Sequence, residues 1–191
     1  MTPIWKPALL IFLTLTVLTG VVYPLAVTGV AQLVFPHRAT GSLIGPAERP
    51  AGSELVGQIF DDPKYLWGRP SATGPTPYNA ASSSGSNLGP LNPALADAVG
   101  SRIANLRKAD PENAAPVPAD LVTASGSGLD PDISPSAAQY QVRRIATARG
   151  IDDARVRTTI DGCAKGRQFG ILGMPRVNVL CVNLVLDGIA R

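Results

Sequence analysis

The chain has 191 residues, enough for one soluble domain of ordinary size plus an anchor but not for two independent cores. Its formal charge of +3 comes from 17 Lys and Arg against 14 Asp and Glu spread along the chain, which excludes the clustered basic patch of a nucleic-acid-binding surface. Charged residues make up only 16% while Gly and Pro supply 19 and 18 positions, so the soluble part is expected to consist largely of turns and irregular connections around a modest core.

No charged residue occurs between Pro7 and Pro36. Residues 8–30 alone would span roughly 34 Å as a helix, against a hydrocarbon thickness of about 30 Å. This predicts a short N-terminal segment, 1–7, and a transmembrane helix over 8–34. A cleaved signal peptide is the competing reading, with Lys6 as its charged start and Gly29-Val30-Ala31 as its cleavage site. A secretory apolar region ends by about 15 residues, whereas here it continues through Val21, Val22, Leu25, Val27 and Val30. Pro24 predicts a kink, and the hydroxyls of Thr14, Thr16, Thr19 and Thr28 are candidates to satisfy the carbonyl it frees. Thr16 and Gly20 form a small-xxx-small pair, which lets another helix approach closely, so Thr16, Gly20 and Pro24 are the candidate packing positions in the membrane. Lys6 on one side and Arg38 and Arg49 on the other leave the positive-inside rule undecided.

Residues 35–52 read as a connector and 53–191 as the soluble domain. The uncharged stretch 71–90 has linker composition, yet Tyr78, Asn79, Asn87 and Leu88 punctuate it and favour an ordered loop that bonds its own backbone. Gln58, Arg69, Tyr78, Asn79 and Asn87 are polar groups in turn-rich segments, candidates either for ordering these loops or for facing a partner. Asn92 as N-cap and Pro93 at the first position open a helix over 93–108, with Leu95, Ala98, Val99, Ile103 and Leu106 inward and Arg102 and Arg107 on a solvated face. Asp120 to Ala124 holds a short apolar pair, Leu121-Val122, too brief to assign. A second helix starts at Ser134-Pro135, turns Ala138, Val142, Ile145 and Ala146 inward and stops at Gly150. A third covers 152–160. Residues 177–189 are ambiguous: β-branched density favours a strand, while the spacing of Val177, Leu180, Cys181 and Leu184 favours the helix assigned here. The expected class is α+β, one transmembrane helix followed by a single mixed, loop-rich domain.

Catalytic constellations are missing. The one histidine, His37, lies beside the apolar segment, so a Ser-His-Asp triad, an HExxH site or a Cys-His pair has no imidazole in the soluble core. Gly126-Ser127-Gly128 is too tight for a GxSxG elbow, and a serine hydrolase built on Ser127 is the runner-up reading. Gly162 to Gly166 lacks the Gly-Lys-Ser/Thr ending of a phosphate loop. Asp130-Pro131-Asp132 has too few oxygen ligands for a calcium loop and reads as a turn. No catalytic, metal-binding or cofactor-binding residue is assigned. Cys163 and Cys181 fit neither zinc nor thioredoxin spacing; whether they pair is left open by their spacing.

An ordered series of short strings is more specific than any one of them. It runs Tyr23-Pro24-Leu25, Gly52-Ser53-Glu54-Leu55-Val56-Gly57-Gln58-Ile59-Phe60, Gly68-Arg69-Pro70-Ser71-Ala72, Tyr78-Asn79 and Ser84-Gly85-Ser86-Asn87-Leu88. It continues through Asp120-Leu121-Val122-Thr123-Ala124-Ser125-Gly126-Ser127-Gly128-Leu129-Asp130, Ile133-Ser134-Pro135, Ala137-Ala138, Val177-Asn178-Val179 and Asn183-Leu184. In this order the chain resembles the C subunits of the Kdp potassium-transporting ATPases over nearly its whole length. The resemblance implies a single-pass protein of the bacterial inner membrane, N-terminus cytoplasmic and main domain extracytoplasmic. It implies a complex with a channel-like potassium-binding subunit, a P-type ATPase subunit and a small membrane subunit. That complex uses ATP, magnesium and potassium, and this chain would act as a non-catalytic accessory subunit binding none of them itself. Asn178 joins the candidate contacts on the strength of its string. An extracytoplasmic location would favour a Cys163–Cys181 bridge.

Overall fold

A computed structural model describes residues 4–46 and 48–189. The chain divides into two compact units, with the boundary between Pro50 and Ala51.

In the first unit, helix α1 (Trp5–Val34) is long and apolar enough to cross a membrane, and its large side chains are exposed along its length. It is not uniform. Pro24 has no N–H to offer the carbonyl four residues back, and its ring crowds that turn. The helix responds by widening into a π-turn over Leu18–Val22, where the Tyr23 N–H reaches the Leu18 carbonyl. The threonines do not reach the carbonyl of Gly20. Thr16 donates to Phe12 O at 2.8 Å and Thr19 to Leu15 O at 2.7 Å, each back-bonding its own preceding turn. Phe35 leaves the helical region (φ −133°, ψ 57°) because it precedes Pro36. Pro36 then opens the one-turn helix α2 (Pro36–Ala39).

Among its described residues the second unit combines five further α-helices with a small antiparallel sheet. The helices are α3 (Pro93–Ala109), α4 (Pro135–Tyr140), α5 (Val142–Arg149), α6 (Asp153–Gly162) and α7 (Val179–Leu186). The strands are β1 (Asp132–Ile133), β2 (Ala164–Lys165) and β3 (Arg176–Asn178), in the order β1-β3-β2. Val177 lies opposite Ile133 on one side and Ala164 on the other. Three helix starts follow their local signals: Asn92 accepts from Ala94 N–H at 3.0 Å, Ser134 from Ala137 N–H at 3.1 Å and Asp152 from Ala154 N–H at 2.9 Å. Gly150 ends α5 in the left-handed conformation, φ 64°.

Two sequence readings need correction. The helix expected from Ser134 to Gly150 is broken at Gln141, whose ψ of −5° separates α4 from α5. The ambiguous C-terminal segment is both things in turn: Arg176–Asn178 pair as a strand, then Asn178 accepts from Cys181 N–H at 3.0 Å and caps α7. Together α4 to α7 and the sheet enclose a core that includes Leu66, Val142, Ile145, Val156, Ile160, Val177 and Val182. Cys163, at the end of α6, is bridged to Cys181 of α7 with a Cα separation of 5.9 Å.

The bridge closes a loop of 18 residues, and a loop of that size is worth about 3 kcal/mol through the entropy of the unfolded chain. Cys163→Ala/Cys181→Ala, or reduction of the unaltered chain, is therefore expected to lower unfolding stability by about that amount. Urea unfolding of the detergent-solubilised chain with and without dithiothreitol measures it.

Candidate functional site

Residues 62–71 have no helix or strand of their own, yet they carry Leu66, fully buried, into the core of the second unit. Buried backbone N–H and C=O groups must be paired, so the partners have to come from side chains. Asn183 on α7 accepts from Leu66 N–H at 2.7 Å and donates to Leu66 O at 3.0 Å. Gln141 accepts from Trp67 N–H at 2.9 Å and donates to Trp67 O at 3.1 Å and to Ala137 O at 3.2 Å. A carboxamide carries the same donor and acceptor as a peptide unit, so these two side chains stand in for a neighbouring strand.

Arg144 fixes the clamp. Its guanidinium donates to Gln141 Oε1 at 2.5 Å and to Pro63 O, and stacks on the Trp67 ring at 3.9 Å. Burial pulls its pKa down to about 10. Arg149 closes the other end, donating to Lys64 O at 2.7 Å, Leu186 O at 2.8 Å and Asp187 Oδ1 at 2.7 Å, while the Tyr65 hydroxyl meets Asp187 Oδ2 at 3.0 Å.

The clamped segment continues into the uncharged loop, which is ordered by its own polar groups. Ser71 Oγ accepts from Tyr78 N–H at 2.9 Å and donates to Gly128 O at 2.7 Å. Thr73 Oγ1 donates to Thr76 O at 2.8 Å and accepts from Asn79 N–H at 3.0 Å. Ser84 N–H reaches Ser127 O at 3.0 Å, which ties the loop to residues 125–130. Two glycines make this packing achievable. A Cβ on Gly57 would collide with the Tyr78 ring and lie 2.7 Å from Asp130 O, and one on Gly128, at φ 69°, would lie 2.6 Å from Ser84 O.

The result is an open cleft of about 450 Å³ bounded by Phe60, Trp67, Arg69, Tyr78, Arg102 and Leu121. Arg69 is held there by Asp130 at 3.2 Å and Ala124 O at 3.3 Å. Arg102, expected on a solvated face, instead donates to Val122 O at 2.7 Å, and partial burial lowers its pKa. A long side chain reaches back across a helix edge, so a position off the apolar stripe still tucks its head group inward. The nearby carboxylates are spoken for: Asp120 accepts from Ser134 N–H at 2.7 Å, Asp130 pairs with Arg69, and Asp132 pairs with Arg176 at 3.0 Å. Among the described residues no group of three or more His, Cys, Asp and Glu could hold a metal ion. Ser127 Oγ accepts from Leu129 N–H at 3.1 Å, the geometry of a turn.

A scan against protein families matches residues 5–188 to KdpC, described as the K+-transporting ATPase, c chain. The chain belongs to the KdpC family. It is 61% identical to the potassium-transporting ATPase KdpC subunit of Sorangium cellulosum, over 96% of each chain. It is 58% identical to that of Dechloromonas aromatica over the whole of both chains, and 58% to that of Methylibium petroleiphilum over 98% of each. As a KdpC chain it is an accessory subunit of a potassium-transporting ATPase and not the catalytic unit.

The candidate residues of this KdpC chain fall into distinct environments. Gln58 donates to Ala51 O at 3.1 Å, and Asn79 donates to Gly74 O at 2.9 Å and accepts from Ala81 N–H at 3.1 Å. Tyr78 donates to Arg69 O at 2.5 Å. Asn178 is buried, donating to Glu54 O and Asp132 Oδ1, each at 3.1 Å. Asn87 is exposed in the left-handed conformation, φ 52°. Thr16, Gly20 and Pro24 lie along exposed α1, away from the cleft residues in sequence. Gln141, Arg144 and Asn183 were missed as organisers of the fold. The available signal was a polar residue inside an apolar stripe: Gln141 between Ala138 and Val142, and Asn183 within an otherwise apolar α7.

Asn183→Leu strips the Leu66 N–H and C=O of their partners, and Gln141→Leu does the same to the Trp67 N–H and C=O while also removing the amide from Ala137 O and Arg144, so each is expected to cost about 2–5 kcal/mol in urea unfolding. A second outcome concerns pH. Burial raises the Tyr78 pKa, the Asp130 carboxylate adds to this and Arg69 opposes it. A group with a raised folded-state pKa contributes stability below its unfolded value and loses it as pH climbs through the folded value. Tyr78→Phe is expected to cost about 1–3 kcal/mol near neutral pH by orphaning Arg69 O. The difference from the unaltered chain should shrink as pH rises beyond the ordinary tyrosine value of 10.0.

Proposed function

We propose that this chain is a single-pass subunit of a bacterial inner membrane, with residues 1–7 in the cytoplasm and the second unit on the extracytoplasmic side. There it supports the assembly and activity of a potassium pump. Its partners are a channel-like potassium-binding subunit, a P-type ATPase subunit that uses ATP and magnesium, and a small membrane subunit. The observation that carries this reading is the family match over residues 5–188, α1 and the clamped domain together. The Cys163–Cys181 bridge supports the orientation, because such bonds persist in oxidising compartments. Exposed Thr16 and Gly20 on α1 support lateral packing against another membrane helix.

Among the polar candidates, Gln58, Arg69, Tyr78, Asn79 and Asn178 bond their own chain, and the exposure of Asn87 on the loop surface supports it as the candidate partner contact. Asn87→Gly removes the side chain while keeping the left-handed backbone unstrained.

Affinity purification of the intact chain from potassium-starved cells is expected to bring the ATPase and channel-like subunits with it. A chain recovered alone, in cells whose potassium uptake is normal without it, contradicts the proposal. In the purified complex Asn87→Gly should leave assembly intact and lower potassium-dependent ATP hydrolysis roughly threefold.

A further inference from the structure

Between β2 and β3 the chain forms a tight turn with a defined backbone. Gln168 and Leu172 exchange two N–H···O bonds of 2.9 Å, and Gly170 and Ile171 donate to Arg167 O and Gln168 O, both at 3.2 Å. Phe169, Gly170 and Gly173 all have left-handed φ, 53°, 77° and 75°. For a bulky residue such as Phe169 this conformation is unfavourable, and the surrounding hydrogen bonds impose it. Arg167 lies across the base, its Nη2 3.9 Å from Met174 Sδ.

This ordered turn carries the wrong side chains for a water-facing tip. Phe169 is 92% exposed, Ile171 73%, Met174 70% and Leu172 54%. A cluster of this kind on an ordered surface marks an interaction site. Its charge is one-sided: residues 164–176 contain Lys165, Arg167 and Arg176 and no acid. Arg176 is paired with Asp132, whereas Lys165 and Arg167 are exposed at the base of the tip.

We propose that the 167–174 turn is a docking knob that seats in an apolar socket rimmed by carboxylates on the extracytoplasmic surface of another subunit of the same transport complex. This rests on the subunit reading above and names where on this chain the contact is made. Three observations favour that occupant. The hydrogen-bonded, glycine-pinned backbone gives the tip one shape, which a complementary protein surface rewards and fluid lipid does not. The tip has neither Trp nor Tyr, the side chains that mark membrane–water interfaces, and consists of Phe, Ile, Leu and Met. A two-fold contact with a second copy would bring Lys165 and Arg167 against their own duplicates, an unfavourable like-charge arrangement.

The test uses the full chain expressed with the other subunits, with Phe169→p-benzoylphenylalanine as a photo-crosslinker. Irradiation is expected to join this chain to another subunit. An adduct with phospholipid alone, an adduct with a second copy, or none at all overturns the knob. In parallel, Phe169→Ser/Ile171→Ser should leave thermal unfolding unchanged, since both side chains are exposed, and reduce the other subunits retained after detergent extraction by about tenfold. Arg167→Glu should reduce retention as well, and Arg155→Glu on the exposed face of α6 should not. Retention equal to the unaltered chain in the first two variants overturns the proposal. If the unaltered chain itself leaves the membrane alone, the subunit reading fails and the knob with it. If it brings its partners but Phe169 crosslinks to none of them, only the knob fails.

Discussion

The second unit depends on two carboxamides acting as backbone. Leu66 and Trp67 run through the core as irregular chain, and without Asn183 and Gln141 their N–H and C=O groups would be buried unpaired. In most domains such a segment becomes a strand beside another strand. Here Pro63 and Pro70 flank it, and each lacks an N–H to extend a ladder. A planar amide at the α4–α5 junction and another on α7 supply the missing donor and acceptor instead. Because one amide sits at the α4–α5 junction and the other on α7, the clamp also ties these two places to the same short segment.

That dependence explains the density of hydrogen-bonding side chains in a chain with few charges. Arg144 orients Gln141 and covers Trp67, and Arg149 binds Lys64 O, Leu186 O and Asp187. The uncharged loop that follows repeats the strategy with hydroxyls: Thr73 and Tyr78 bond main-chain groups within the loop, and Ser71 reaches across to Gly128 O. Small residues permit close approach, and small polar side chains satisfy what close approach desolvates. A domain of this kind is held together by many specific bonds as much as by its core.

The first unit obeys a different constraint. A helix able to lie in hydrocarbon must satisfy its backbone internally, and Pro24 removes one donor from that ladder. The π-turn at Leu18–Val22 absorbs the defect within the helix, and the threonines bond the turns behind them. The same α1 therefore keeps its length while gaining an irregular stretch, Leu18–Val22, that includes Gly20.

Much of this was legible in the order of residues. Length and apolarity defined α1, because a span depends on composition within a single segment. The caps at Asn92 and Ser134 and the stop at Gly150 were also readable, since their partners lie within a few residues. The ordered succession of family strings pointed to the transport complex. Tertiary structure alone decided that Cys163 meets Cys181, that Arg176–Asn178 forms a strand before α7 begins, that Arg102 turns inward, and that Gln141 and Asn183 belong to the interior. The reason is distance along the chain. Gln141 is 74 residues from Trp67 and Asn183 is 117 from Leu66, and periodicity reports only which face a residue occupies, not which distant backbone waits there.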